Sequence, residues 1–401
     1  VVPADDADLI IAGAGCAGLS ALSHALHAGH PERRIIVIDR ELAPSDDRTW
    51  SFWGNSSAPF AHLADGRWDR MRVGFPGWTT AQPVDPSGRS GPGSRSYYRI
   101  RRRDYDREIL DLASAAPNVT LLESDVIGVR DDDRGGVVTL PEGELRAPLV
   151  LQSLPPAPVR HAPPVRHPLR QHFGGWEVVT DRPVFESDTV TLMDFDTEQG
   201  DDTAFFYVLP EAPNRALVEF TVFGLEPQPH PFYDHRIAEY LDRLGAGDME
   251  ISRTEYGVIP MDDRTYEQRS GCHVWNLGTA GGRTKPSTGY TFQRIHEQAR
   301  LVIDGWATTG TPLPVPTPAR RYALADRTLL NILHHHPEHG RPIFERLFST
   351  SSIGDVLTFL DEDTSLVDDV KMLGQLPWPP FLRAAASEAL ASASHRLATP
   401  R

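Results

Sequence analysis

Residues 8–39 leave this chain few folds to choose from. Asp8-Leu9-Ile10-Ile11-Ala12 is an apolar run of buried-strand length, and Ile35-Ile36-Val37-Ile38 is a second. Between them Ala17, Leu19, Leu22, Ala25 and Leu26 recur at helical spacing towards Gly29, which predicts a helix lying over the sheet. The turn between strand and helix carries Gly13, Gly15 and Gly18 in G-x-G-x-x-G spacing. Gly13 permits the tight turn, Gly15 lets a pyrophosphate approach the backbone, and Gly18 lets helix and strand pack closely. The anion then sits on the positive end of the helix. Asp39, 21 residues after Gly18, ends the second strand, where a carboxylate accepts a ribose hydroxyl, and Arg40 follows it into the same site. Strand, helix, second strand and terminal acid together predict an α/β dinucleotide-binding unit.

A chain of 401 residues has room for two domains or slightly more. Its apolar runs fall short of the roughly 18–20 residues of a membrane span, and the polar, acidic N-terminus reads as neither signal nor transit peptide. A net charge of −15 argues against nucleic acid and gives no general attraction to anionic lipid. The two cysteines, Cys16 and Cys272, have no metal spacing and point to a reducing cytoplasm. Thirty-five prolines predict long, stiffened loops.

Beyond the first unit, Trp50, Phe52 and Trp53 predict an aromatic wall beside cofactor or substrate, of the kind that holds polyenes and stabilises cations. Residues 55–96 read as an excursion from the cofactor domain. Arg99, Arg101, Arg102 and Arg103 read as a solvated basic start to a helix over 104–113. Val119–Val129 and Gly136–Leu140 alternate like a small attached sheet, and Leu149–Leu151 like a strand returning to the main one. Proline-rich Pro155–Pro168 marks a boundary. The runs 175–179, 190–195, 204–209 and 216–222 then predict an antiparallel sheet, with a helix over 233–244. A strand at 274–277 leads into a second glycine-rich, anion-friendly turn with Gly278, Gly281, Gly282, Pro286 and Gly289, opening a helix from Phe292. A return of this kind after ~240 residues is flavoprotein behaviour. Helices at 323–333, 343–348, 353–359 and 381–397 follow a proline-rich linker, Pro312–Pro318. His334-His335-His336-Pro337-Glu338-His339 is placed in a loop without metal-ligand spacing, so no metal is expected. Asp361-Glu362-Asp363 lacks D-D-x-x-D spacing and reads as a solvated helix junction.

These motifs resemble the flavin-dependent lycopene cyclase family, of the bacterial lycopene beta-cyclase type, over nearly the whole chain. The resemblance rests on Gly13-x-Gly15-x-x-Gly18, Arg48-Thr49-Trp50-Ser51-Phe52-Trp53 and Gln171-x-Phe173-x-Gly175-Trp176. It continues through Thr191–Phe195, Phe206–Pro210, Arg215–Thr221, Glu255-x-Gly257-x-Ile259-Pro260-Met261, the Gly278–Tyr290 turn, and Phe359-Leu360 with Leu376-Pro377. It implies a Rossmann-type FAD-binding domain (1–155 and 271–311), an antiparallel-sheet substrate domain (156–270) and a helical C-terminal part (312–401).

The implied reaction is a ring closure with no net redox change at the ψ-end of a linear carotenoid such as lycopene. An acid protonates the terminal C1=C2 bond, C5=C6 attacks the cation at C1, and loss of the C6 proton leaves a β-ring. Reduced FAD is the implied cofactor and NAD(P)H the reductant. The acid must stay neutral near pH 7; Glu219, among Ala216, Leu217, Val218 and Phe220, matches the family's acid. Trp50, Phe52, Trp53, Asp194, Tyr207 and Glu255 are the expected substrate contacts. The chain departs from the family pattern at Phe220, where many members have a second acid, at Gly54, where a glutamate is common, and at Leu151-Gln152-Ser153-Leu154-Pro155 in place of D-x-R-G. The departures admit another polyene or terpenoid as substrate. The rival readings are an FAD monooxygenase or halogenase of the same superfamily and a non-catalytic carotenoid-binding flavoprotein. An apolar polyene substrate further implies a cytoplasmic enzyme held peripherally at the inner face of the cell membrane, and nothing in the sequence sets an oligomeric state.

Overall fold

The computed structural model describes residues 7–89, 93–155 and 165–398, with side chains up to Glu388. The acidic N-terminus and most of the proline-rich boundary lie outside the described residues.

In chain order the elements begin β1 (Leu9–Ala12), α1 (Cys16–His27), β2 (Ile35–Asp39), β3 (Thr49–Gly54), β4 (Gly66–Trp68), β5 (Arg70–Phe75), β6 (Trp78–Pro83) and β7 (Ser96–Arg101). Next come α2 (Arg102–Ala115), β8 (Val119–Glu123), β9 (Gly128–Asp132), β10 (Gly135–Leu140), β11 (Gly143–Ala147) and β12 (Leu149–Gln152). The middle of the chain supplies β13 (Leu169–Thr180), β14 (Thr189–Asp194), β15 (Thr203–Ala212), β16 (Arg215–Gly224), α3 (His230–Arg243), β17 (Met249–Met261) and β18 (Val274–Asn276). The chain finishes with α4 (Phe292–Thr309), α5 (Arg320–His335), α6 (Gly340–Thr350), α7 (Ile353–Leu360), α8 (Leu366–Leu373) and α9 (Trp378–Ala398).

A five-stranded parallel sheet, ordered β18-β12-β1-β2-β8, forms the N-terminal layer. Its strands are apolar on both faces because both are covered. Leu9, Ile11, Ile35, Val37 and Leu151 pack under α1, α2 and α4. Ile10, Ala12, Ile36, Ile38 and Val150 pack on the small sheet β11-β10-β9. The fold is mixed α/β, with an N-terminal region resembling a dinucleotide-binding domain and a helical C-terminal region. β8, expected in the small sheet, instead joins the parallel one beside β2, register Val37 to Leu121.

The second sheet has seven strands, β17-β13-β16-β15-β14-β5-β6. The expected antiparallel strands are present, but two come from the predicted excursion. β5 pairs parallel to β14, and β6 pairs antiparallel to β5. One face of this sheet packs on α3 through Tyr233, Ile237, Tyr240 and Leu241. The other packs on the C-terminal helices through Leu330, Phe344, Phe348 and Leu357. α8 has no counterpart among the expected helices; it is only eight residues long and leaves Leu366, Val367 and Val370 exposed. The histidine run expected in a loop begins on a helix, since His334 and His335 close α5.

The arginine cluster differs most from expectation. Arg99 and Arg101 belong to β7 and are buried, 1% and 7% exposed. Arg99 pairs with Asp65 at 2.7 Å and Glu211 at 2.8 Å, and Arg101 with Glu177 at 2.7 Å. Buried guanidinium groups persist only when carboxylates meet them in this way, and those partners lie far away in sequence.

Candidate active site

A cavity of about 1370 Å³ opens where the parallel sheet, the seven-stranded sheet and the C-terminal helices meet. At one end it reaches Gly13, Gly15, Asp39, Arg40, Gly278 and Gly289; at its centre, Tyr207, Glu219 and Glu255; at the other end, α8 and α9.

The glycine turn has the geometry its spacing predicts. Gly13 takes φ +100°, and a Cβ on Gly18 would fall 1.8 Å from the Gly13 carbonyl oxygen, so only glycine allows α1 this close to β1. A Cβ on Gly15 would meet nothing within 4 Å. The start of α1 therefore faces open space, with no side chain capping its first N–H groups. Asp39 Oδ2 accepts from Ala14 N at 2.6 Å, bracing the turn from the end of β2. Ser153, where the family's D-x-R-G turn would fall, donates to the Gly13 carbonyl at 3.3 Å. Gly281, Gly282 and Pro286 do not line the cavity. A Cβ on Gly281 would strike the Asn276 carbonyl and one on Gly282 would strike Tyr266, so both serve the turn itself.

β16 is buried on both faces, and alternation sorts its residues. Leu217, Glu219, Thr221 and Phe223 face the cavity side; Ala216, Val218, Phe220 and Val222 face α3. Phe220 therefore points away from Glu219, and an acid at that position would not reach the cavity from this backbone. A second carboxyl arrives by another route. Cross-strand register sets Tyr207, Glu219, Gly175 and Glu255 in one row over β15, β16, β13 and β17. Gly175 has no side chain, so Glu219 and Glu255 meet across it. A Cβ there would lie 2.7 Å from Glu219 Cγ and 3.3 Å from Glu255 Cγ.

The pair is electrically asymmetric. Glu255 Oε2 accepts from Arg253 Nη1 at 2.7 Å and from Thr49 Oγ1 at 2.8 Å. Arg253 continues to Glu177 at 3.0 Å, and Glu177 to Arg101. That chain of alternating charge places the negative charge on Glu255. Burial first, then the charge of Glu255 and a hydrogen bond between the carboxyls, push Glu219 well above the ordinary glutamate range. Tyr207 OH lies 2.8 Å from Tyr97 OH, which lies 3.5 Å from Tyr290 OH. Burial raises all three phenols, so they stay neutral around Glu219. The arrangement is a carboxyl kept neutral in a largely apolar, aromatic chamber.

The aromatic wall is only partly where expected. Trp50 lines the cavity, stacked on Phe292 at 5.7 Å and edge-on to Tyr105. Phe52 is core, stacked between Tyr98 and Phe292. Trp53 stands behind Tyr290, 4.5 Å between centroids, with its indole N–H on Asp361 at 2.8 Å. Neither Phe52 nor Trp53 lines the cavity. Asp194 is on the opposite face of the sheet, accepting from Tyr240 of α3 at 3.2 Å, because an irregularity in β14 after Thr191 sets it opposite Phe206 on that face. The acidic run at 361–363 is no solvated junction: Glu362 pairs with Lys285 at 2.9 Å and Arg294 at 3.2 Å.

Sequence reasoning did not single out Tyr97, Arg253 or Lys285, nor the spacing role of Gly175. Of these, only Gly175 carried a local signal, a glycine inside a strand pattern that marks a close approach.

Over residues 8–386 the chain matches the family profile described as lycopene cyclase protein. It is 28% identical over 341 residues to a lycopene beta-cyclase of Paracoccus sp., covering 80% of this chain and 77% of that one. In fold it is similar to a flavoprotein/dehydrogenase from Cytophaga hutchinsonii, with TM-score 0.61 and 14% identity over 92% of this chain and all of that one (100%). A variant of the halogenase PltM in complex with FAD gives TM-score 0.57 and 14% identity over 96% of this chain and 86% of that one. Glycine turn, carboxyl row and profile agree: this chain belongs to the lycopene cyclase protein family.

Proposed function

We propose that the chain is a flavin-binding enzyme that closes a ring at the end of a linear polyene, lycopene or a related terpenoid, by proton delivery from Glu219. The observation that carries this reading is the Glu219–Glu255 pair, a neutral acid beside a pinned carboxylate in an apolar chamber. Alkenes are weak bases, so the donor must remain protonated at neutral pH and must not lose its proton to water. The same burial makes the carboxylate left behind a strong base, which supports Glu219 as acceptor of the C6 proton and removes the need for an acid at Phe220. Tyr97, Tyr207 and Tyr290 present aromatic surface to a carbocation. Atoms balance without a redox step: one proton enters at C2, one leaves C6, and one C–C bond replaces one π-bond.

FAD fits the other end of the cavity. The open N-terminus of α1 above Gly15 suits the pyrophosphate, Asp39 the ribose, and Gly278 and Gly289 the second strand-to-helix turn. Bound and reduced, with NAD(P)H as the source of electrons, it would supply an electron-rich surface beside the cation. The fold shared with the halogenase favours a second reading, oxygen-dependent flavin chemistry. Parallel anaerobic and aerated incubations with lycopene, reduced FAD and NADPH in D₂O, followed by chromatography and mass spectrometry, separate the two. A cyclised isomer with deuterium at C2 is expected. A hydroxylated or halogenated product with oxygen consumption would replace the cyclase reading.

The far end of the cavity supports a membrane-facing role. Among the described residues no helix is long and apolar enough to cross a bilayer. Leu324, Leu366, Val370, Trp378 and Leu382 line the cavity mouth and are each more than half exposed, with Val367 beside them. A polyene dissolved in lipid would pass from hydrocarbon to chamber across this rim. Leu366→Glu combined with Trp378→Glu is expected to abolish co-flotation with neutral lipid vesicles, whereas raising the salt concentration leaves wild-type binding nearly unchanged. Release of the wild type by salt would reject the rim as the docking surface.

A further inference from the structure

Away from the cavity, three imidazoles converge. His167, just before β13, is 2% exposed; His334 and His335 close α5. One ring nitrogen from each lies within 4.8 Å of the other two, and none of the three rings lines the cavity. His167 Nδ1 stands 3.3 Å from His334 Nδ1. Two nitrogens bound at roughly 2.0–2.1 Å to one tetrahedral ion are ~3.3 Å apart, so this spacing suits a shared ion without rearrangement. On its other side His167 Nε2 lies 2.8 Å from Glu388 Oε1. A carboxylate only accepts, so Nε2 donates to it and Nδ1 is the ring atom that faces His334. Glu388 is fixed in turn by Asn331 Nδ2 and Arg166 Nη1, both at 3.1 Å. A carboxylate behind an imidazole is the arrangement that orients histidine ligands and raises their basicity in metal centres.

We propose that His167, His334 and His335 bind one divalent, zinc-class ion, with Glu388 of α9 orienting His167. The proposal is independent of the cavity reaction. The ion would tie the start of β13 to the end of α5 and, through Glu388, to α9, whose Trp378 and Leu382 form part of the cavity rim. The site escaped sequence reading because His167 lies 167 residues from its partner. The visible run invites a different pairing, His336 and His339 with Glu338, all at the surface.

Tag-free protein stripped with chelator, then titrated with Zn²⁺ by calorimetry and with Co²⁺ by visible absorption, tests the site. One equivalent of each is expected, with a tetrahedral Co²⁺ spectrum that Zn²⁺ displaces. His167→Ala should remove that spectrum. Glu388→Gln should weaken affinity by roughly 10–100-fold while keeping the stoichiometry. His336→Ala with His339→Ala should change neither. His335→Ala, at an exposed position, is the second ligand variant and should weaken binding with the fold intact by circular dichroism. Binding that survives His167→Ala but vanishes in the His336→Ala/His339→Ala protein would overturn the proposal, as would folded wild-type protein that takes up no ion.

Discussion

Glu219→Gln is expected to abolish ring formation while the protein keeps its flavin. Glutamine preserves shape and hydrogen bonding but carries no proton it can deliver to carbon, and a positioned general acid contributes roughly 10²–10⁴-fold. The pH dependence gives an independent reading. With Glu219 as the proposed acid, wild-type turnover should be full at low pH and fall as pH rises through its elevated folded pKa. Glu255→Gln removes the neighbouring negative charge and frees Arg253 to face Glu219, and both changes move that fall to lower pH. Stability follows the same sign. Above the ordinary glutamate range the unfolded chain releases a proton that the folded chain retains, so stability declines until the folded pKa is passed. The Gln variant has no such decline and should melt higher than wild type at alkaline pH. Near-normal turnover by Glu219→Gln, with flavin bound, would place the acid elsewhere.

Gly175→Ala should be nearly as damaging, although Gly175 bears no chemistry. The new methyl would press on the Cγ atoms of both glutamates, at 2.7 and 3.3 Å, and drive the carboxyls apart. Misplacement by about 1 Å can cost on the order of 10²-fold, and lost contact with Glu255 lowers the pH at which activity fails. Infrared spectroscopy separates this from a folding defect. The carbonyl stretch of a buried protonated carboxyl should be present in wild type at neutral pH, absent in Glu219→Gln, and lost at lower pH in Gly175→Ala than in wild type. An unchanged titration of that band in Gly175→Ala would show that the carboxyls do not depend on the gap.

What could be read from the sequence tracks how local each cause is. β1, α1 and β2 declare themselves within 32 residues, because strand period, helix period and turn glycines act on neighbours. The burial of Glu219 was legible because its own strand is apolar at consecutive positions. Glu255 was expected as a substrate contact, but its place beside Glu219 across Gly175 was not legible, since strand register, which no single segment encodes, brings it there. Phe52, Trp53 and Asp194 share the misreading in reverse. Residue type suggested a site, but Phe52 is enclosed by Tyr98 and Phe292, Trp53 stands behind Tyr290, and the irregularity in β14 turns Asp194 towards α3. Arg99 and Arg101 looked solvated because the acids that bury them lie at Asp65, Glu177 and Glu211.

β18 pairs with β12 across more than a hundred residues, and β5 with β14 across a similar span. Neither sheet is closed until the chain has been synthesised well past its midpoint. The first 155 residues, released alone, would expose the β12 edge that β18 covers and the β5 edge that β14 covers, both open to pairing with other chains. Pairing over such separations defers the reward for chain closure, so assembly is slow and its intermediates are prone to aggregate. The cavity, lined from both sheets, thus cannot be isolated by truncation: dissection of this chain must proceed by substitution within its full length.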